Sequence, residues 1–151
     1  MTKTFAETLL FASVATNAAL LLFFAGVFRQ MMNAIDLATF KNLTALLVQY
    51  SSKSPFMIIA LNLPFIGAIP YYYFYGFGNW WITLGLGLWL ISGSVAKVIK
   101  LPVYKTVAAL NSDDIAQLEI MRRKINMGNA FQAAMYCVAL LVMGWGAVNV
   151  H

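Results

Sequence analysis

Four long apolar runs, separated by short polar stretches, organise this chain. The first extends from about Phe5 to Phe28 and is closed by Arg29. The second opens at Ser54-Pro55, a capping hydroxyl followed by a residue whose missing amide needs no partner in a first helical turn, and continues to about Tyr73. The third covers Trp80 to Val98 and the fourth Ile125 to Val148. Each matches the roughly 20 residues that cross ~30 Å of hydrocarbon at 1.5 Å per residue. None alternates like a barrel strand, and each is about twice as long as the ~9–11 residues that such a strand needs. The pattern predicts an all-α fold: a four-transmembrane-helix bundle, up-down in topology, forming one integral membrane domain over residues 1–151.

The connections carry helical signals of their own. Between Asp36 and Tyr50, apolar residues recur at Leu37, Phe40, Leu43, Leu47 and Tyr50, with Lys41, Asn42 and Gln49 on other faces. This spacing predicts either an amphipathic helix lying in the membrane interface or an extension of the first helix beyond the bilayer. Pro102 interrupts the run after the third span. Asn111 or Ser112, followed by Asp113 and Asp114, is a helix start, so the fourth helix is expected to begin there and to carry a Glu119–Arg123 ion pair into the bilayer.

Composition agrees with the pattern. Hydrophobic residues make up 62% of the chain and charged residues 10%, whereas soluble domains run nearer 45–50% and about 25%. Mean hydropathy is +0.76. The N-terminal run holds the acid Glu7 as well as the basic Lys3 and exceeds the ~7–15 residues of a signal-peptide core, so it reads as a span. Charge then orients the bundle. Arg29, Lys41, Lys53, Lys97, Lys100, Lys105, Arg122, Arg123 and Lys124 fall on one side, against Lys3 alone on the other. The basic side is expected to be cytoplasmic, in a bacterial inner membrane, with both termini outside. The opposite side holds Tyr71, Tyr72, Tyr73, Tyr75, Trp80, Trp81 and Trp145, an aromatic belt suited to a headgroup boundary. Basic residues that punctuate apolar runs make no nucleic-acid-binding face.

Polar residues within spans are costly in hydrocarbon and mark where function is to be sought. On the fourth helix Asn126, Asn129, Gln132 and Tyr136 fall within about 120° of one another and form one inward stripe. Asn17 lies near the middle of the first helix with Ser13 on its face, and Asn62 precedes Pro64 on the second. Ser92 and Ser94 lie at similar depth on the third. An antiparallel bundle would bring Asn62, Ser92, Asn129 and Gln132 into one layer, with a kink at Pro64 as a cavity wall. Asn17, Asn62, Ser92, Asn129, Gln132 and Tyr136 are therefore the candidate ligand-binding residues. The same amides also serve as glue between helices, by mutual hydrogen bonds worth ~0.6–2 kcal/mol. Gly85, Gly87, Gly93 and Ala96 on the third helix favour close packing.

Other chemistry is sparse. The single His is His151, the single Cys is Cys137 within an apolar run, and no cluster has metal-ligand spacing, so no metal or cofactor is expected. No Gly-rich phosphate loop or nucleophile motif is present. Glu7 is the one acid within a span, placed either to cap an interfacial helix start or to meet Trp80, Trp145 or His151 in an outer cluster.

Three stretches resemble the anthrone-oxygenase-like family of small four-helix membrane proteins, many of them uncharacterised bacterial members. They are Ala25-Gly26-Val27-Phe28 before an amphipathic connection, Ser54-Pro55-Phe56-Met57, and Lys97 through Lys105 followed by Ile125-Asn126-Met127-Gly128-Asn129-Ala130-Phe131-Gln132. Family members tend to carry a Trp, an Asn or His four residues on, and an Arg three further. Asn129 matches, while Ile125 stands for the Trp and Gln132 for the Arg. The resemblance implies a four-helix membrane fold and, from the fungal members, cofactor-independent oxidation of anthrones to anthraquinones. Three expectations result: a protein holding a hydrophobic or aromatic small molecule or lipid in an intrabundle polar cavity, an oxygenase-like enzyme on anthrone or quinone-type aromatics, or an accessory subunit of a membrane complex. Expected partners are the bilayer, such a small molecule, and a second copy or a membrane complex.

Overall fold

The computed structural model describes residues 2–149, with the side chains of residues 95 and 96 outside that description. It is an all-α bundle of five helices: α1 (Lys3–Ala34), α2 (Leu37–Ser51), α3 (Pro55–Tyr75), α4 (Trp80–Ala109) and α5 (Ile115–Asn149). Of these, α1, α3, α4 and α5 are long and apolar enough to cross a membrane, which makes the chain a multi-pass membrane protein. His151, one expected neighbour of Glu7, and the Ala96 side chain lie outside the described residues.

Local chemistry sets most helix starts. The side chains of Thr2, Asp36, Ser54 and Asn79 accept the backbone N–H groups of Phe5, Thr39, Met57 and Ile82, satisfying donors that the first turn leaves free. Pro55 follows its cap as the sequence predicts. Gly76 stops α3 at φ 66°, a conformation that a side chain would resist, and its N–H returns to the Tyr72 carbonyl at 3.0 Å.

Two boundaries differ from expectation, and an open choice between two readings is decided. Helix α1 runs past Arg29 to Ala34 through a π-helical turn at Phe24–Phe28. Of the two readings of the 36–50 connection, the structure has the separate helix and not an extension of α1; it packs onto the bundle, because Asp36 caps a new start after an extended Ile35. Pro102 does not end α4, which continues for two further turns to Ala109. Burial explains that continuation: Val103 and Val107 join Phe40, Leu118, Met121 and Ile125 in an apolar core at the basic end. Packing of this kind offsets the hydrogen bond that Pro102 removes.

A second core fills the aromatic half, built from α1, α4 and α5 around Leu10, Val14, Trp89, Ala139 and Met143, with Tyr71 from α3. The antiparallel α4/α5 seam is close. A methyl added at Gly85 would lie 2.2 Å from Met143 Cγ, and one at Gly146 would lie 2.3 Å from Trp81 Cβ. Helix α3 is the least enclosed span; Pro64 and Tyr71 are buried, while Phe56, Ile69, Tyr73 and Phe74 stand exposed. Between the two cores, α5 carries polar residues on its inward face.

Candidate functional site

The inward stripe of α5 is real: Asn126, Asn129, Gln132 and Tyr136 are all buried. What meets it was not expected. Lys100, on α4, donates from Nζ to Asn129 Oδ1 at 2.5 Å and to Gln132 Oε1 at 2.7 Å. Gln132 in turn donates from Nε2 to the Ser92 carbonyl at 3.4 Å, so its amide is used at both ends. Asn129 and Gln132 are three residues apart, and one helix face therefore presents both carbonyls to one amine.

Gly128 makes the approach possible. The Lys100 stem crosses it so closely that an added methyl would lie 3.0 Å from Cγ and 3.2 Å from Cδ. The direction of the stem matters more. The pairings Trp81 with Gly146, Gly85 with Met143 and Ser92 with Gln132 place Lys100 level with residues 124–128 of α5. Its amine reaches Asn129 and Gln132, further along α5 toward the aromatic end. Side chains on a helix lean toward its N-terminus, which for α4 is that same end. Lys100 thus reaches into the bundle, the opposite of a lysine that snorkels out of a membrane.

Among the described residues the amine has no counter-ion. Glu7 pairs with Lys3, and Glu119 pairs with Arg122 and Arg123. Asp36 caps α2, Asp114 accepts the Asn111 amide, and Asp113 is exposed in the same turn. These are all five acids of the chain. Beside the amine lies a cavity of about 290 Å³ lined by Ile99, Lys100, Lys124, Met127, Gly128, Phe131 and Gln132. Met127 is 73% exposed and Phe131 50%, so the cavity opens sideways through the flank of the bundle.

The other predicted residues are placed elsewhere. Ser92 is fully buried beside the site, and its hydroxyl has no hydrogen-bond partner among the described residues. Asn126 donates to Asn33 Oδ1 at 3.0 Å and ties α5 to α1. Tyr136 is buried in the aromatic-half core. Asn17 is buried, donates to the Ser13 carbonyl within its own helix, and leaves Oδ1 without a partner among the described residues. Asn62 does not reach the polar layer. It is exposed on α3, where its amide donates to the Ile58 carbonyl at 2.7 Å, and neither it nor Pro64 lines the cavity.

Sequence reading missed Lys100 because it counted as one more basic residue after the third span. A signal was present. Gly85, Trp89, Ser92, Lys100, Val103 and Val107 recur at helical spacing on one face, and their neighbours on that stripe are buried. A lysine at a core position of such a stripe needs a buried acceptor.

Two further clusters hold the ends of the bundle. At the aromatic end Glu7 Oε1 accepts from the Tyr71 hydroxyl at 2.7 Å and from Asn79 Nδ2 at 2.9 Å, with Lys3 Nζ 3.9 Å away. Trp80 and Trp145 stand more than half exposed and give Glu7 none of these bonds. At the basic end Arg122 Nη1 donates to the Met32 and Ile35 carbonyls, each at 3.2 Å, while Nη2 pairs with Glu119 and the guanidinium lies 6.0 Å from the Phe40 ring centre. Arg122 thereby closes the carbonyl end of α1. The expected Glu119–Arg123 pair is also present, at 3.3 Å.

Among the described residues no group of His, Cys, Asp and Glu side chains could hold a metal ion. Comparison of the chain with protein-family models, curated proteins and solved structures finds no match.

Proposed function

We propose that this chain is an inner-membrane protein, with its basic end in the cytoplasm, that binds an amphipathic small molecule at the cavity between α4 and α5. One observation carries the reading. A lysine amine is turned into the bundle, held by the amide carbonyls of Asn129 and Gln132, beside an open apolar-walled cavity. Small-molecule sites combine such walls with a few convergent polar groups. Ile99, Met127 and Phe131 supply the apolar wall, and Lys100 supplies the polar anchor. The basic-side orientation rests on the excess of Lys and Arg at that end.

The test is to purify the protein in mild detergent and identify co-purified molecules by mass spectrometry. An amphiphile retained by the wild type and lost from Lys100→Met is the expected result. Equal recovery from both proteins would refute the site.

The same amine favours a second reading as an oxygenase-like enzyme, in line with the family resemblance. A fixed ammonium beside amide groups would stabilise the enolate formed when an anthrone loses a proton. Oxygen uptake with anthrone-type substrates, lowered in Asn129→Ala, is its expected signature. Absence of turnover by the wild type would exclude it.

A further inference from the structure

Charge as well as shape distinguishes the Lys100 site, because two lysines line it. We propose that the site takes an acidic lipid of the surrounding bilayer, its anionic phosphate or carboxylate head between Lys100 and Lys124 and one acyl chain along Met127 and Phe131. The proposal rests on the reading of the cavity as a ligand site and names its ligand class.

Charge balance is the first argument. Two lysines line the cavity, and each of the five acids is engaged or exposed elsewhere. Neutral carbonyls orient the Lys100 ammonium but leave its charge uncompensated. Partly dehydrated cations of this kind favour an anion strongly, because charge-assisted hydrogen bonds are roughly twice as strong as neutral ones. A zwitterionic or neutral head would bring its own cation, or no charge, to the same place.

Depth is the second argument. Trp80, at the aromatic end, and Lys100 are about 30 Å apart along α4 at 1.5 Å per residue. That distance matches the hydrocarbon thickness, so the Lys100 backbone lies at the opposite headgroup level. A lipid head arrives there from the leaflet itself, without crossing the bilayer.

Access is the third. The half-exposed Phe131 and the more exposed Met127 form an open side wall, as entry from the membrane requires. At about 290 Å³ the cavity is at the lower end of small-molecule sites, enough for a head and the first part of one chain. The remaining hydrocarbon would stay in the bilayer.

The experiment places the full chain in phosphatidylcholine nanodiscs and titrates in phosphatidylglycerol, with bound lipids counted by native mass spectrometry. Wild type is expected to retain one phosphatidylglycerol in preference to phosphatidylcholine. Lys124→Met should weaken retention roughly fivefold, the effect of one lysine at a charged surface. Lys100→Met should weaken it more, and Lys100→Arg should restore most of it. Lys53→Met, an exposed lysine away from the cavity, should leave it unchanged.

Retention of phosphatidylcholine as strongly as phosphatidylglycerol, still lost from Lys100→Met, would overturn the acidic-head proposal while leaving the ligand site standing. Retention of no lipid or other amphiphile would end both. Displacement of phosphatidylglycerol by millimolar inorganic phosphate would show that the head alone is bound, which also overturns the lipid assignment. Phosphatidylglycerol retention equal in Lys100→Met and wild type would mean a general surface effect and refute the proposal.

Discussion

Glu7 and Lys100 are opposite charges toward opposite ends of one bundle, and neutral side chains hold both. Around Glu7 the neighbours are donors, Tyr71 and Asn79; around Lys100 they are acceptors, Asn129 and Gln132. The difference lies in what completes each site. Glu7 has Lys3 within 3.9 Å and a fully packed Tyr71. Lys100 has no acid beside it among the described residues and faces a cavity. A completed polar cluster fixes helix positions, whereas an incomplete one leaves charge for something else to neutralise.

Truncation at the completed end should have the largest effect. Tyr71→Ala removes a ring that is 1% exposed, and a loss of about 3–5 kcal/mol is expected in reversible unfolding in detergent. A loss below 1 kcal/mol would show that the Glu7 cluster does not hold α1 to α3. Tyr71→Phe keeps the ring and removes the bond to Glu7, for an expected ~1.5–3 kcal/mol, typical of hydrogen bonds to charged groups.

Lys100→Met should behave differently. It removes the Lys100 charge but strands the buried Asn129 and Gln132 carbonyls, so a loss of about 1–3 kcal/mol is expected, below that of Tyr71→Ala, while ligand retention falls. A stability loss as large as that of Tyr71→Ala would make Lys100 a structural residue and erase the contrast. Gly128→Ala is gentler still. The lysine stem is flexible and can yield to a methyl at 3.0 Å, so an unfolding cost below about 1 kcal/mol is expected, with retention weakened through a displaced amine.

The smallest effect concerns a charge that both clusters lack, one exposed to water. Thr39 holds the Asp36 carboxylate below its ordinary range through hydrogen bonds from its hydroxyl and its amide. A depressed acid contributes stability above its unfolded value, near 3.8, and loses it as pH falls through the lower folded value. Amide exchange of the first turn of α2, corrected for intrinsic rates, should therefore rise in acid. Asp36→Asn should flatten that dependence, because an amide also caps but does not titrate.

Much of the architecture was legible because hydrocarbon demands long apolar runs, and the α5 stripe because four polar residues repeated at helical spacing. Asn62 was misplaced for a physical reason. Helix α3 is apolar around most of its circumference, so its sequence does not say which face looks inward, and the structure turns Asn62 outward. Pro102 was read as an interruption of the run because local rules say so, but burial of Val103 and Val107 carried α4 past it. Lys100 was hidden by its context among other lysines. Charge alone does not say which way a side chain turns; the buried stripe on which it sits does.

Photolabelling tests the central contrast most directly. An acidic amphiphile carrying a diazirine on its chain would be incorporated beside the protein in nanodiscs, activated, and its adducts mapped by peptide mass spectrometry. Adducts concentrated at Ile99, Met127 and Phe131, and lost in Lys100→Met, are the predicted result. Adducts spread evenly over those residues and the exposed face of α3 at Phe56, Ile66 and Ile69, unchanged by the substitution, would contradict it.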